Sequence, residues 1–277
     1  MREKIGIRNF KDGFSPRLLN LVNIIEQRYQ ALLRAARDAG GNLLQAGIAL
    51  DMGLQDHHWL REVLIRQMGG QPYSADGRSV AYNTPAGYQA VGWYTDLATK
   101  HKVGQFGFLT DGVTAFRSGK AGLMIDGSFR LAAFDAQAGL DYGVAELPTH
   151  QGKRSNFASF WVSGITPKAT GPKRDAAAKF LKFITTPAAM ELWLEKVGEL
   201  PARKAVAERD SIRNNPKYGA FIRGLAYAEA TFFVNETAQR KLFMDMVDRV
   251  VLKSQPVPES VAQAAAEEQK LLDAFFK

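Results

Sequence analysis

The chain has 277 residues, 46% of them apolar and 23% charged, enough for one large globular domain or two lobes, each with its own core. It contains no cysteine, which excludes disulfides, thiolate metal sites and cysteine nucleophiles. The formal net charge of +8 is spread along the sequence, without the clustered basic patch of a nucleic-acid face, and no stretch approaches the roughly 20 apolar residues of a membrane-spanning helix.

The opening stretch, MREKIGIRNFKDGFSPRLLNLVNIIEQ, lacks the apolar core and small-residue cleavage site of a signal peptide, so the chain is expected to carry no export signal. Residues 18–36 place Leu19, Val22, Ile25, Tyr29, Leu32, Leu33 and Ala36 close to the 3.6-residue period, which predicts a helix stopped by Gly40-Gly41. LLQAGIAL, residues 43–50, is the first candidate for a buried strand. DMGLQDHH is expected to be a polar loop, followed by a helix over about 59–68 that Gly69-Gly70 ends. PYSADGRSVAYN reads as a hairpin turning at Asp76-Gly77.

Thr84-Pro85 supplies a cap and a first-turn proline for a helix running to about Thr99. Thr110 or Asp111 caps a short helix ending at Gly119. Ala121 to Asp126 form a short apolar run that breaks at Asp-Gly-Ser-Phe. This predicts a buried strand delivering Asp126, Gly127 and Phe129 to the mouth of a fold. A helix follows over 128–137. DYGVAELP and FASFWVSGI are read as strands, with THQGKRSN a loop between them.

Pro172 begins an amphipathic helix with Ala176, Ala177, Phe180, Leu181 and Ile184 on one face, and Thr186-Pro187 restarts the helix to Val197. Residues 202–277 are almost wholly helical in pattern, with breaks near Asn214-Asn215-Pro216, Val234-Asn235 and Gln255-Pro256. Strands separated by helices over most of the first 185 residues predict an α/β fold.

Catalytic motifs are sparse. There is no G-x-S-x-G elbow and no phosphate loop; SGKAG lacks the first glycine and the Ser/Thr. His57-His58 are adjacent, so their rings diverge rather than converge on a metal, and no metal or other cofactor is expected. Aromatic residues do recur at strand ends: Trp59, Phe129, Phe160, Trp161, Phe232 and Phe233. Each alone suits a core. Together they suggest a crevice at the carboxyl ends of strands, lined with flat apolar faces and a few polar groups. Sugars suit such a lining, with C–H faces on rings and hydroxyls on Asp, Asn and Arg.

Seven stretches in order resemble a known family: LLRAARDAGG, LIRQMGGQPY, AYNTPAGYQAVGWYTDL, FRSGKAGLMIDGSF, DYGVAELPTHQGK, RDAAAKFLKFITTPAAMELW and GELPAR. From about Arg28 to the end the chain resembles the extracellular solute-binding proteins of sugar-type ABC transporters, the maltose-binding-protein-like group. The resemblance implies a type II periplasmic-binding-protein-like α/β fold of two hinged lobes that close on a ligand. It places cleft aromatics at Trp59 and Phe129 and a hinge crossing at Glu146 to Pro148. A further cleft segment falls near Phe232 to Met244, without the tryptophan expected there.

Few residues precede the match, so the expectation is a second lobe with a returning part of the first. The divisions are a helical segment at 1–41, an α/β core at 42–148, a returning part at 149–201 and C-terminal helices at 202–277. What this implies is a non-enzymatic binding protein, periplasmic or extracellular. Its expected partners are a sugar and the subunits of a membrane permease, with no nucleic acid and no membrane insertion. The expected binding residues are Trp59, Phe129, Asp56, Asp126, Arg130, Trp161 and Phe232. Two alternatives stand beside it: a carbohydrate-active enzyme using Asp56 and Asp126 as paired carboxylates, and a shortened intracellular interaction module. Sugar, polyol and polyamine ligands all remain open.

Three geometric expectations follow. Residues 46–50 and 121–125 form buried strands of one sheet. Trp59 and Phe129 share a concave face. The helix from Pro172 leaves its apolar face uncovered, the helix over 18–36 being its one available cover.

Overall fold

In the computed structural model, which describes residues 35–230 and 232–277, the run LLQAGI folds as the centre of a three-stranded sheet. Strand β1, Ala36–Arg37, pairs antiparallel with β2, Leu43–Ile48. The helix expected over 18–36 lies outside the described residues except for its end, where Ala36 is in β1 and not helical. Tertiary pairing with β2 overrides the helical period at that boundary.

Beyond β2, the polar loop is shorter than expected because a helix, α1, begins at Asp56. It is built from three continuous pieces: Asp56–His58, a π-helical stretch Trp59–Leu64, and Ile65–Gln67. The Ile65 N–H reaches back five residues to the Leu60 carbonyl. Every residue of Trp59–Leu64 is buried, Arg61 and Glu62 included.

Hairpin residues 73 and 80 meet in one antiparallel bridge, with Gly77 at positive φ. Helix α2, Pro85–Thr99, starts where Thr84 accepts the Gly87 N–H. Gly87 sits so close to the hairpin that a Cβ there would lie 1.9 Å from the Tyr82 carbonyl oxygen. Helix α3, Gly112–Arg117, is capped by Asp111, which accepts from Thr114 at 2.7 Å. It leads into β3, Ala121–Leu123, which lies parallel to β2 with Ala46 opposite Ala121 and Ile48 opposite Leu123. The two apolar runs therefore share one sheet. Residues 46–50 are buried throughout, whereas 122–125 are only half-buried.

A 3₁₀ turn, Ser128–Arg130, precedes helix α4, Leu131–Asp135. Residues 141–148, expected to be a strand, have no regular structure. Side chains fasten this segment instead: Gln67 Nε2 donates to the Pro148 carbonyl at 2.7 Å, and Glu146 accepts from Arg154, from Arg223 Nε at 2.8 Å and from Tyr227 at 2.7 Å. The next run is strand only over β4, Asn156–Ala158, paired in parallel with β5, Ala228–Ala230. The helical pattern of the tail gave no sign of β5. It exists because β4 offers it an edge.

Helix α5, Gly171–Ile184, and helix α6, Pro187–Val197, follow, the latter ending at Gly198 with φ +81°. A Cβ on Gly198 would also fall 2.6 Å from the Ser128 carbonyl oxygen, so both conformation and space require glycine there. Short helices α7, Lys204–Ala207, α8, Asp210–Arg213, and α9, Gly219–Gly224, enclose a small core of Leu194, Val206, Ala207, Ile212 and Ile222. A 3₁₀ turn, Leu225–Tyr227, joins α9 to β5.

The long helices α10, Glu236–Lys253, and α11, Val257–Phe275, return to the sheet side. Their Phe243, Met246, Val247, Val261 and Ala264 share one core with Ile48, Leu50, Trp59, Leu60, Val63, Tyr82, Val91 and Tyr94. Through that core runs a polar network. Arg61 and Glu268 are wholly inaccessible and pair at 2.6 Å. Glu268 also accepts from Tyr73 at 2.5 Å, Tyr82 at 2.7 Å and Gln239 at 2.8 Å. The Arg61 guanidinium lies 4.0 Å from the Phe243 ring centroid.

Two measurements test this packing. Removing one member of a buried ion pair strands the other charge, so Arg61→Met is expected to cost about 3–5 kcal/mol by urea unfolding. The double variant Arg61→Met/Glu268→Leu should recover part of that loss. Helix α5 has no buried residue, and Phe180 and Phe183 are about 60% exposed, as are Leu192 and Trp193 of α6. An apolar face of this kind favours association. Sedimentation of the 277-residue chain should show concentration-dependent self-association, reduced by Phe180→Lys/Trp193→Lys; a monomer at all concentrations would refute this.

Candidate functional site

Because β2 and β3 are parallel and in register, their carboxyl ends emerge together and carry Asp51 and Asp126 side by side. Asp51 braces the turn after β2. Its Oδ1 accepts the Gly53 N–H at 3.0 Å and its Oδ2 the Gly112 N–H at 3.0 Å, tying the turn to the start of α3. The Asp51 N–H donates to Asp56 Oδ2 at 2.9 Å, and the Tyr94 hydroxyl donates to that same oxygen at 2.5 Å. Burial pushes the Asp56 carboxyl up to about 7, despite these two hydrogen bonds and aided by the charges of Asp51 and Asp126.

Asp126 sits beside this group with its side chain almost inaccessible. It accepts the Gly127 N–H at 2.7 Å and Arg130 Nε at 3.0 Å. Burial raises its carboxyl above the usual range in spite of both donors. The Arg130 guanidinium lies 5.2 Å from the Phe129 ring centroid, and the Phe129 ring folds back over Gly127, where a Cβ would fall 2.2 Å from it. Phe129 keeps 38% of its surface exposed. Phe129 and Arg130 thus form an accessible ring-and-cation pair at the end of β3.

The other sequence-predicted residues fare differently. Trp59 does not line a surface; it is 2% exposed and packs edge-on against Trp93 and Tyr94, each at 5.8 Å. A tryptophan inside a helix buried on all sides has no open face to offer a ligand, so Trp59 and Phe129 do not share a concave face. Asp56 is likewise occupied by internal donors, and Asp126 by Gly127 and Arg130. Asp56 is too deeply buried to meet a ligand. Trp161 is 91% exposed and lies beyond β4 without regular structure. Phe232 stacks on Phe276 at 6.3 Å and meets Tyr73 edge-on, which places it beside the hairpin and not with Phe129.

The histidine pair, expected to lie in a polar loop with its rings diverging, is instead buried at the end of β2 with its rings together. His57 and His58 open α1 with ring centroids 3.9 Å apart. His57 Nδ1 donates to the Leu54 carbonyl at 2.6 Å, which leaves the buried Nε2 as an acceptor with no protein partner. His58 stacks on Phe157 of β4 at 5.2 Å and 9°, and Phe233 meets its edge at 5.5 Å. Arg240 crosses from α10 to the Gly53 carbonyl at 3.2 Å. Burial holds His57 down to about 2 and His58 to about 4, with nearby charge adding to the effect, His58 and Arg240 at His57 and Arg61 and Arg240 at His58. Both imidazoles are neutral at physiological pH.

Position was the signal that could have found this group. His57 and His58 fall in the turn directly after the first strand, where the crevice rule looks for ligand contacts. Among the described residues, no group of three or more His, Asp or Glu is placed to hold a metal ion. No described helix is long and apolar enough to cross a membrane.

The raised Asp56 pKa has a measurable sign. With a folded pKa near 7 and an unfolded value near 3.9, the folded state binds the extra proton between those limits. Its contribution is therefore greatest below pH 4 and declines as pH rises towards 7. Relative to Asp56→Asn, the wild type should lose about 4 kcal/mol of unfolding free energy between pH 4 and pH 8. Parallel stability-against-pH curves for the two proteins would contradict the burial of an ionisable Asp56.

A sequence profile described as bacterial extracellular solute-binding protein matches residues 27–220, well over half of the chain. Among curated proteins, none matches. Among solved structures, the chain is similar to UgpB from Mycobacterium tuberculosis in complex with glycerophosphocholine, at a TM-score of 0.70 and 17% identity, over 91% of this chain and 68% of that one. It is similar to the maltose/maltodextrin-binding domain MalE from Bdellovibrio bacteriovorus bound to maltotriose, at 0.67 and 21%, over 90% of this chain and 65% of that one. It is also similar to the GacH receptor of Streptomyces glaucescens, at 0.70 and 21%, over 83% of this chain and 60% of that one. The chain thus spans about two thirds or less of these structures. Their common fold is the type II periplasmic-binding-protein fold expected from the sequence. By its profile and its fold, the chain belongs to the bacterial extracellular solute-binding proteins.

Proposed function

We propose that this chain is the substrate-binding component of a carbohydrate ABC transporter, working in the periplasm or outside the cell. The observation that carries this is the accessible Phe129–Arg130 pair at the carboxyl end of a parallel strand, in a chain whose structural relatives hold maltotriose or acarbose. The ring takes the C–H face of a sugar, and the guanidinium beside it donates to a hydroxyl. The described residues supply one wall of a cleft between lobes. Closure of the lobes on the ligand then presents a joined surface to a membrane permease.

Asp56 and Asp126 brace the strand ends and are not a catalytic carboxylate pair, because each is buried and already accepts internal donors. Because the given chain spans about two thirds or less of these relatives, binding by it alone is expected to be weak. Saturation-transfer NMR of the chain with maltotriose, acarbose and glycerophosphocholine should detect a saturable interaction with at least one. Phe129→Ala should weaken it about tenfold, as expected for loss of roughly 1.4 kcal/mol of ring contact. No saturable binding across the panel, or release of reducing sugar from maltotriose, would overturn the proposal.

A further inference from the structure

The segment carrying Phe232 and Phe233 has little regular structure of its own, yet it is fixed from below by one buried side chain. Gln239 Oε1 accepts the N–H groups of Val234 at 2.8 Å and Asn235 at 2.9 Å. Its Nε2 donates to Glu268 Oε1 and to the Tyr73 hydroxyl, both at 2.8 Å. Glu268 in turn holds Arg61, whose guanidinium lies 5.4 Å from the Phe233 ring centroid. Phe233 then meets the His58 ring at 5.5 Å and the His57 ring at 6.2 Å. The chain of contacts is continuous from the α10–α11 core to the turn after β2, and Gln239 and Glu268 are both fully inaccessible.

We infer that Gln239 and Glu268 are positioning residues, acting through the Val234–Asn235 backbone and Arg61 to hold Phe233 as a roof over the buried His57-His58 pair. A buried amide whose acceptor takes two N–H groups of one turn, while its donor is anchored in the core on Glu268 and Tyr73, fixes that turn far better than the apolar contacts of a loop. The Phe233 ring gains its place from two directions, the backbone behind it and the cation beneath it. This positioning role is independent of the proposed function.

The full-length chain tests this with two readouts that need no ligand: imidazole titration of His57 and His58 by NMR, and amide exchange at Val234 and Asn235. Gln239→Met keeps the length of the side chain but removes its acceptor and donors. It should speed exchange at those two amides about tenfold relative to β2 amides, the effect of losing one or two hydrogen bonds. It should also move the His58 pKa up towards an ordinary imidazole value as the roof loosens. Val261→Ala in α11 serves as a control that destabilises the same core without touching the turn. Should Gln239→Met not fold, Glu268→Gln replaces it: it takes the counter-charge from Arg61 and the anchor from Gln239 Nε2, so exchange at Val234 and Asn235 should again rise, while the uncompensated Arg61 moves the His58 pKa further down. Equal acceleration at all amides, matching Val261→Ala, or an unmoved His58 titration would overturn the inference.

Discussion

The buried pair between Arg61 and Glu268 is the constraint on which the rest of the molecule depends. Residues 59–64 are buried all round, which a helix achieves only when other elements enclose it. Two of those six residues are ionisable, and a charge in such a place is tolerated only with a hydrogen-bonded partner of opposite sign. Arg61 therefore demands Glu268 from a helix more than 200 positions later in the chain. Glu268, once buried, collects Tyr73 and Tyr82 from the hairpin and Gln239 from α10. The C-terminal helices are held against the sheet by apolar contacts, which set no unique register, and by this network, which does.

The strand ends show the same logic with a different outcome. Asp51, Asp56 and Asp126 meet where β2 and β3 leave the sheet. Their oxygens are taken by the N–H groups of Asp51, Gly53, Gly112 and Gly127, by Tyr94 and by Arg130. Carboxylates that look available for a ligand are instead the braces of three turns. What these turns leave accessible is the Phe129–Arg130 pair, while the histidine pair lies under Phe157 and Phe233. The accessible chemistry at these strand ends is a flat ring beside a guanidinium.

Helix α5 has the opposite character from α1. Its apolar residues are spaced as regularly as those of any buried helix, yet none is buried among the described residues. Phe160, Trp161 and Val162, just past β4, are also left open. Both features belong to the region that departs from the main body and returns through Gly198. They sit in a chain that overlies 83–91% of its own length on structures of which it spans only 60–68%.

Much of this was legible in the sequence wherever the cause is local. Thr84 with Pro85, Asp111, Thr186 with Pro187 and Gly198 mark helix ends because a cap needs only neighbouring backbone. The apolar runs at 43–50 and 121–125 announce strands of one sheet because continuous hydrophobicity is itself the signal, although burial is complete only over 46–50 and at Ala121. The helix over 172–184 and the α/β class follow from periodicity in the same way. Ordered motifs carried the family. Other features depend on partners distant in sequence, and only the tertiary structure decided them. Residues 141–148 are held by side-chain bonds to Glu146 and Pro148 and form no strand, and residues 228–230 form one by pairing with β4. Trp59, just past the first strand, reads as a cleft aromatic, but Trp93, Tyr94 and the returning helices bury it. Asp56 reads as a ligand donor until Tyr94 claims its oxygen. His57, His58 and Phe233 become neighbours only when Gln239 and Glu268 fix the turn before α10. Caps and periods are written within a few residues, whereas burial and hydrogen-bond partnership belong to pairs of residues that only folding brings together.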